Sequence, residues 1–294
     1  MGTVPVALFA YSRPEHLKKV LEGIRINNVP LIYVFVDGPK DYSKSEAVKN
    51  VIEIVKNVDW SEIKLNIREK NYGLAGSIRT GVTEVLEKHD RLIVLEDDIV
   101  MRPGAYKYTI EALSHYENDN RIMSISMWSD HELLTHSKLN GFLSGRFICW
   151  GWATYRKYWI LYNDAPLNIY KKCLAANIDI DKWGSDIKWQ AENAERKNLW
   201  YIGYALTHMM YRKLSYFPKE SLTINIGRDG SGENTGGGKQ DNFRLIKKPV
   251  NFRPNWPTIY DENNSKKFYK FFNPDKNKSF KETIYYLLKR WLHQ

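Results

Sequence analysis

Three consecutive carboxylates, Glu96-Asp97-Asp98, are the part of the sequence that most clearly indicates chemistry. They follow a wholly apolar run, Leu92 to Leu95, which predicts a buried strand. At about 4 Å and an effective dielectric near 20, two like charges repel by roughly 4 kcal/mol, and a divalent cation would remove that penalty. If the strand stays extended, Glu96 and Asp98 point to one side and Asp97 to the other. The triplet therefore predicts Mg²⁺ or Mn²⁺ held with substrate phosphates; a solvated acidic turn is the alternative.

Further charged residues follow the neighbouring predicted strands. Asp37 ends the strand Leu31 to Val36, where its carboxylate could accept the imide N–H of a pyrimidine or guanine base. Arg13, Lys70 and Arg79 fall in loops or helix starts, where they could meet phosphate. A turn-capping aspartate and ordinary surface cations are the alternatives for these four residues.

These residues need a scaffold that brings strand ends together, and the first hundred residues predict one. Apolar residues at helical spacing lie between the predicted strands, and the first helix start carries Ser12 as N-cap with Glu15 closing a capping box. The order predicts an α/β fold, a mainly parallel sheet with helices on both faces, in which ligands sit beyond the carboxyl ends of the strands. The four predicted strands are Val4 to Ala10, Leu31 to Val36, Ile63 to Ile67 and Leu92 to Leu95.

Several nucleotide-dependent and hydrolytic classes are disfavoured. The turn after the first strand, Tyr11 to Pro14, has no glycine that would let the backbone approach a dinucleotide pyrophosphate. The sequence has no Walker A segment and no Gly-x-Ser-x-Gly elbow after a strand. Hydride transfer on a Rossmann domain, P-loop hydrolysis and serine esterase chemistry are therefore poor interpretations.

The composition limits the class of protein and its cellular location. The chain has 294 residues, 43% of them hydrophobic and 27% charged, which is typical of a globular protein. Cys149 and Cys173 provide no disulfide framework, the N-terminus is not a secretory signal, and no apolar run approaches the roughly 20 residues of a membrane span. We therefore expect a cytoplasmic protein that is soluble or peripheral on the inner face of the cell membrane.

The basic charge is concentrated at the C-terminal end. The net charge is +10, and residues 239–294 hold 13 basic and five acidic residues, a net +8. Here a basic amphipathic helix is predicted, which could bind an anionic membrane or pack on the domain. We expect no nucleic-acid partner. The apolar face of this helix contains Phe280, Ile284, Leu287, Leu288 and Trp291.

Four motifs in order resemble a known family. They are Asn71 to Arg79, Leu95 to Asp98, Trp150 to Arg156 (Trp-Gly-Trp-Ala-Thr-Tyr-Arg) and Asn225 to Gly232 (Asn-Ile-Gly-Arg-Asp-Gly-Ser-Gly). Together they are similar to GT-A-fold glycosyltransferases, specifically bacterial sugar transferases related to animal N-acetylglucosaminyltransferase I. The resemblance runs from about residue 4 to residue 235 and says little about the substrate.

The resemblance implies roles for individual residues. Asp98 would bind Mn²⁺ or Mg²⁺, and Asp37 would read the base. Asp186 would be the catalytic base, with Asp181 in reserve, although one aspartate stands where the family has Trp-Asp-Asp-Trp. Trp150 and Trp152 would stack on the acceptor or on sugar. The remaining residues implied in nucleotide-sugar binding are Ala10, Tyr11, Arg13, Gly73, Arg79, Glu96 and Asp97.

The combined interpretation is a metal-dependent, inverting glycosyltransferase acting on a glycan or lipid-linked glycan in bacterial surface polysaccharide synthesis. The expected parts are a nucleotide-sugar half (1–130), an irregular acceptor half (131–240) with a possible lid at Gly227 to Gly238, and a basic extension (241–294). His208, in an apolar segment, is more consistent with a core histidine than with a metal ligand. The alternatives are a sugar-phosphate nucleotidyltransferase and a non-enzymatic basic membrane-binding module.

Overall fold

The computed structural model describes residues 2–130, 139–229, 246–251 and 255–272. Within these ranges the strands are β1 (Val6–Ala10), β2 (Leu31–Val36), β3 (Glu62–Ile67), β4 (Arg91–Glu96), β5 (Ile99–Met101), β6 (Ile122–Ser126), β7 (Gly141–Ser144), β8 (Trp152–Tyr155), β9 (Leu214–Pro218) and β10 (Thr223–Asn225). The helices are α1 (Pro14–Ile26), α2 (Tyr42–Lys56), α3 (Gly73–Leu86), α4 (Ala105–Tyr116), α5 (Arg156–Trp159), α6 (Pro166–Ala175), α7 (Asp186–Asn193), α8 (Trp200–Met210) and α9 (Glu262–Phe271).

Eight of the strands form one mixed sheet in the order β3-β2-β1-β4-β8-β6-β9-β7. The first four are mutually parallel, whereas β8 runs antiparallel to β4 and to β6. β9 is parallel to β6, and β7 is antiparallel to β9. The prediction of a mainly parallel α/β sheet is confirmed. β8 lies between the four parallel strands of the first half of the chain and the strands of the second half.

Helices on both faces explain the apolar strands. Every residue of β1 is buried, as are the four central residues of β4, because neither face of these strands meets water. α1 buries Leu17, Val20 and Ile24 in the same core. The strands predicted in this half match the observed ones to within two residues at each end.

The start of α1 differs from the sequence prediction. Pro14 occupies the first turn, as expected, since its missing N–H has no helical partner there. The N-cap is Arg13, however, and no side-chain cap hydrogen bond forms, so the predicted Ser12–Glu15 capping box is wrong. The Arg13 side chain binds carboxylates at the end of β4 instead, and this contact sets the local backbone.

The described part of the predicted basic extension packs on the body. Arg102, 2% exposed, donates from Nε to the carbonyl of Lys248 (3.1 Å) and from Nη2 to that of Pro249 (3.3 Å). The Tyr116 hydroxyl donates to the carbonyl of Pro257 at 2.7 Å. The predicted amphipathic helix, Phe280 to Trp291, lies outside the described residues. In the described ranges, no helix combines the length and apolarity that a membrane crossing requires.

Candidate active site

A cavity of about 770 Å³ opens at the carboxyl ends of β2, β1 and β4. It continues past β4 to the residues that precede β8, because the antiparallel β8 begins at the edge where β4 ends. Residues of α7 and of the start of α8 complete its wall. Ten of the predicted site residues line it: Ala10, Tyr11, Arg13, Asp37, Gly73, Glu96, Asp97, Asp98, Trp150 and Asp186.

Asp37 marks one end of the cavity. Its Oδ1 accepts hydrogen bonds from the backbone N–H of Tyr72 at 2.8 Å and of Gly38 at 3.1 Å. Burial raises the pKa of Asp37, while these backbone donors act against the rise. Two rigid main-chain groups therefore orient a buried carboxylate at the end of β2.

The acidic triplet adopts a different geometry from the predicted one. β4 ends at Glu96, and Asp97 and Asp98 form the turn that leads into β5. Arg13 Nε lies 3.1 Å from Asp97 Oδ1, and Arg13 Nη2 lies 2.9 Å from Asp98 Oδ2. The extended geometry on which the predicted placement depended does not continue past Glu96, and in the turn one guanidinium contacts both Asp97 and Asp98.

Burial dominates the electrostatics of this cluster. It raises the pKa of Glu96, and the neighbouring Asp98 and Asp97 raise it further. Burial also raises the pKa of Asp98, although Arg13 opposes that rise. The cluster thus crowds three carboxyl groups into a poorly solvated place, and an additional positive charge there would favour their ionised forms.

The donor atoms of the turn fit a hard divalent cation. Asp97 and Asp98 present carboxylate oxygens, which Mg²⁺ and Mn²⁺ prefer, and both residues line the cavity. Nowhere in the described ranges do three His, Cys, Asp or Glu side chains form a group that could hold a metal by themselves. Any ion at Asp98 would therefore share its coordination with oxygens of a ligand, as Mg²⁺ bound to substrate phosphates does.

A glycine turn packs directly against Asp98. β10 pairs with β5, and the backbone N–H of Ile226 donates to the Asp98 carbonyl at 2.9 Å. A Cβ on Gly227 would lie 2.9 Å from Asp98 Cγ, closer than real contacts allow. Beyond it, Asp229 Oδ2 lies 3.2 Å from His16 Nε2. The start of the predicted lid therefore abuts the acidic turn, while residues 230–238 of that segment lie outside the described ranges.

Asp186 stands at the other end of the cavity, in the first turn of α7. Arg146 clamps its carboxylate: Nη1 donates to Oδ1 at 2.8 Å and Nη2 to Oδ2 at 2.6 Å. Gln190 Nε2 adds a bond to Oδ2 at 2.7 Å. Arg146 also donates to the Trp183 carbonyl at 2.8 Å, and its guanidinium lies over the Phe272 ring, 3.5 Å from the centroid. The carboxylate is therefore held in one orientation.

Sequence reasoning missed Arg146 and Gln190. Arg146 is 4% exposed, between β7 and β8. A single arginine within the apolar run Phe142 to Ile148 was an available signal, because buried arginines are almost always paired. Gln190 is one helical turn after Asp186, a spacing that follows only once α7 is known.

Three residues predicted to meet a ligand do not line the cavity: Trp152, Arg79 and Lys70. Trp152 is 1% exposed on β8, where its indole packs with Trp200 and Tyr204, so it cannot stack on a sugar. Arg79 lies on α3 and pairs with Asp164 at the surface, away from the cavity wall. Trp152 is directed into the core, and Arg79 is directed toward the surface.

His208 is a core residue, as the apolar character of its segment indicated. Its Nδ1 donates to the Tyr204 carbonyl at 2.8 Å, and its Nε2 accepts from the Ser124 hydroxyl at 2.8 Å. Burial lowers the pKa of His208 to about 4. The ring is therefore neutral near pH 7 and satisfied on both nitrogens.

The fold and this cavity together define a GT-A-like α/β protein, whose acidic turn lies at the carboxyl edge of a mainly parallel sheet. The GNT-I family model matches residues 1–164, more than half of the chain, and the chain belongs to that family. The matched segment contains Arg13, Asp37 and the acidic turn, but neither Asp186 nor Gly227.

Individual relatives are distant. The chain is 24% identical over 177 residues to an alpha-1,3-mannosyl-glycoprotein 2-beta-N-acetylglucosaminyltransferase of Arabidopsis thaliana, covering 54% of this chain and 39% of that protein. The chain therefore spans about two fifths of that relative's length.

Solved structures are more distant still. A mannosyltransferase from Pyrobaculum calidifontis, in complex with GDP-Man and Mn²⁺, is 15% identical with a TM-score of 0.38, over 53% of this chain and 45% of that one. A 4-diphosphocytidyl-2C-methyl-D-erythritol synthase from Anaerococcus prevotii is 12% identical with a TM-score of 0.39, over 76% and 93% of the two chains.

Proposed function

We propose that this chain is a metal-dependent glycosyltransferase that moves a sugar from a nucleotide-diphosphate-sugar to a hydroxyl of a glycan or lipid-linked glycan. One observation carries the proposal: a single cavity is lined by Asp37 after β2, by Arg13 after β1 with the acidic turn after β4, and by Asp186 of α7. A base, a diphosphate and a reacting hydroxyl need recognition in that order. Membership of the GNT-I family supports the same interpretation.

The nucleotide end uses residues that are already oriented. The fixed carboxylate of Asp37 would accept the imide N–H of the base. Arg13, from the turn after β1, would contact the diphosphate, since a guanidinium matches the geometry of phosphate oxygens. Glu96 and Asp97 would contact the ribose or the donor sugar.

Asp98 would hold Mn²⁺ or Mg²⁺ once the Arg13 guanidinium turns from this carboxylate to the phosphates. When bound, such an ion neutralises the charge that develops on the departing diphosphate. The raised pKa of Asp98 reflects burial, and an added positive charge would favour its ionised form. Gly227 keeps the position beside this carboxylate free of a side chain.

Asp186 would act as the general base of an inverting single displacement. The acceptor oxygen forms a bond to the anomeric carbon while the bond from that carbon to the diphosphate oxygen breaks, and the diphosphate leaves with the electron pair. The Asp186 carboxylate takes the hydroxyl proton as the new bond forms. Arg146 and Gln190 would keep the carboxylate aimed during this step.

The metal role is tested by a thermal-shift screen of UDP, GDP, CDP and ADP with and without Mn²⁺. A ligand at one hundred times its dissociation constant stabilises by about 2.7 kcal/mol, which a melting curve resolves. We expect one nucleotide to stabilise the chain only with Mn²⁺, and EDTA or Asp98→Asn to remove that effect. Undiminished Mn²⁺-dependent stabilisation of Asp98→Asn would refute the assignment.

The base role is tested by Asp186→Asn, with Asp181→Asn as the matched control. Asp181 is exposed, outside the cavity wall, and was the reserve candidate. We expect Asp186→Asn to keep nucleotide affinity and lose sugar transfer by about 10²–10⁴-fold, the usual contribution of a general base. Loss of transfer in Asp181→Asn instead would overturn the choice of Asp186.

We further place the activity at an anionic membrane surface in the synthesis of a bacterial surface polysaccharide, such as lipopolysaccharide or capsule. The charge of +8 on residues 239–294 supports the membrane contact, and the polysaccharide setting rests on the family resemblance alone. We expect full-length protein to sediment with anionic vesicles at low salt, and Lys281→Glu/Lys289→Glu/Arg290→Glu to sediment less. Unchanged sedimentation of the triple variant would contradict the membrane contact.

Two other functions give different outcomes in the same assays. A sugar-phosphate nucleotidyltransferase would turn over a nucleoside triphosphate with a sugar phosphate and release pyrophosphate. A non-enzymatic basic module would tolerate Asp98→Asn with no measurable change in function. Neither has a specific supporting feature in the cavity.

A further inference from the structure

Trp189 is an exposed tryptophan in the wall of the cavity. Its side chain is on α7, and the residue is 53% exposed. Leaving a large aromatic side chain half in water forgoes stabilisation that its burial would provide, at about 25 cal/mol per Å² of apolar surface. An exposed tryptophan in the wall of a concave site is therefore available to pack against a ligand.

The position of Trp189 is tied to that of Asp186. The two residues are three apart on one helix, which places them on the same side, and Gln190 lines the cavity beside them. Ile187 and Ala191 are buried and anchor the opposite side of α7. The indole and the carboxylate are therefore held on one rigid element.

The other aromatic rings of this part of the cavity are buried or partly buried, and protein groups contact them. Trp150 meets Trp128 edge-on at 4.8 Å and carries the Arg228 guanidinium over its ring at 5.3 Å. Trp200 is 5% exposed in the core. Among the described residues of the cavity wall, Trp189 is the large apolar side chain that stays exposed.

We propose that Trp189 is the platform on which a pyranose ring of the acceptor packs, so that the acceptor is a saccharide at the point of attack. This inference rests on the proposed function, because Asp186 is taken to receive the acceptor's proton. A pyranose has an apolar C–H face that can cover an indole and an edge of hydroxyl groups that needs polar partners. Trp189 provides the first and the Asp186–Gln190 pair the second, a combination that an alkyl chain would not use.

The test labels the full chain with 5-fluorotryptophan, which gives ten ¹⁹F resonances for the ten tryptophans. Trp189→Phe assigns the signal. The probes are the methyl glycosides of glucose, galactose, mannose and N-acetylglucosamine, added with Mn²⁺ and the nucleotide that the thermal screen selects. We expect at least one glycoside to shift the Trp189 resonance in a saturable way.

Affinity measurements with variants complete the test. Trp189→Ala should weaken binding of that glycoside by about tenfold, Trp189→Phe should recover part of the loss, and nucleotide affinity should stay within about twofold. Tyr211→Ala is the matched control, since Tyr211 is 50% exposed and outside the cavity wall. It should bind both ligands as the unmodified chain does.

Three results would overturn the inference: a Trp189 resonance that no glycoside moves, unchanged glycoside affinity in Trp189→Ala, or an equal loss of nucleotide affinity. The third result would indicate that Trp189 contacts the nucleotide donor and not the acceptor. Failure of the proposed function has a separate signature, because a chain that no nucleoside diphosphate stabilises would refute the glycosyltransferase itself. Nucleotide binding without any response of Trp189 would refute the platform alone.

Discussion

Removing the guanidinium of Arg146 should release the Asp186 carboxylate and destabilise the folded chain. Arg146→Ala deletes two bonds to Asp186 and one to the Trp183 carbonyl, and it uncovers the Phe272 ring. Breaking a buried ion pair costs about 3–5 kcal/mol. Asp186 is 29% exposed and can recover some hydration, so we take the lower limit, about 3 kcal/mol. For a domain of this size that lowers the melting temperature by roughly 6 °C.

The assay is a double-mutant cycle on thermal and denaturant unfolding with Arg146→Ala, Asp186→Asn and the double variant. We expect a coupling energy of about 2 kcal/mol, because removing either partner already breaks the clamp. Arg146→Lys should recover part of the loss, since an ammonium keeps the charge but cannot form two parallel bonds. Additive effects within about 0.5 kcal/mol would refute the view that these two residues stabilise the structure through each other.

The control is Arg121→Ala. Arg121 forms a similar forked pair with Asp119, at 2.9 and 2.6 Å, but its side chain is 53% exposed. Exposed pairs contribute about 0–1 kcal/mol, so this variant should be close to the unmodified chain in stability. A loss as large as that of Arg146→Ala would show that burial does not determine the contribution of the clamp.

Three further predictions concern other parts of the molecule. Gly227→Ala should displace the Asp98 carboxylate and weaken Mn²⁺-dependent nucleotide affinity by about tenfold. Gly76→Ala is the control and should have no such effect, because a Cβ there meets only Tyr72 Cβ, at 3.2 Å. Equal effects of the two variants in the melting assay would contradict this prediction. The free energy of unfolding should rise by up to about 3 kcal/mol as pH increases from about 4 to 6.5, because over that range the unfolded chain protonates His208 and the folded chain does not. Denaturant titrations of His208→Gln should lose this part of the pH dependence. An unchanged dependence of unfolding free energy on pH in that variant would exclude the role of His208. Asp37→Asn should keep the fold, since its amide oxygen can still accept the two backbone bonds, and lose about tenfold in nucleotide affinity by calorimetry; unaltered affinity would remove Asp37 from the site.

Much of the nucleotide end could be predicted because its determinants are local in sequence. Each strand of the first half carries its own apolar run, and a parallel sheet must bring the ends of such strands to one edge. Asp37 and the acidic triplet follow their strands directly, so their meeting in one cavity follows from the order of elements alone. The chemistry of that edge was readable without knowledge of any contact.

The remaining features depend on long-range contacts that no local pattern encodes. The Arg13 guanidinium reaches Asp97, 84 residues away, and this contact changed both the helix cap and the direction of the carboxylates. Arg146 and Asp186 are 40 residues apart and belong to different elements. Trp152 was misplaced for a related reason: a Trp-Gly-Trp segment suggested a loop wall, but Gly151, with φ of 81°, turns the chain so that only the first indole faces the cavity.

β8 pairs antiparallel with β4, so the cavity wall is built from both early and late portions of the polypeptide. Under the proposed function, the base and diphosphate contacts come from the portion before residue 102, and α7 comes from the portion after residue 145. Substitutions in α7 would then change which hydroxyl compound is selected while leaving the activated sugar unchanged.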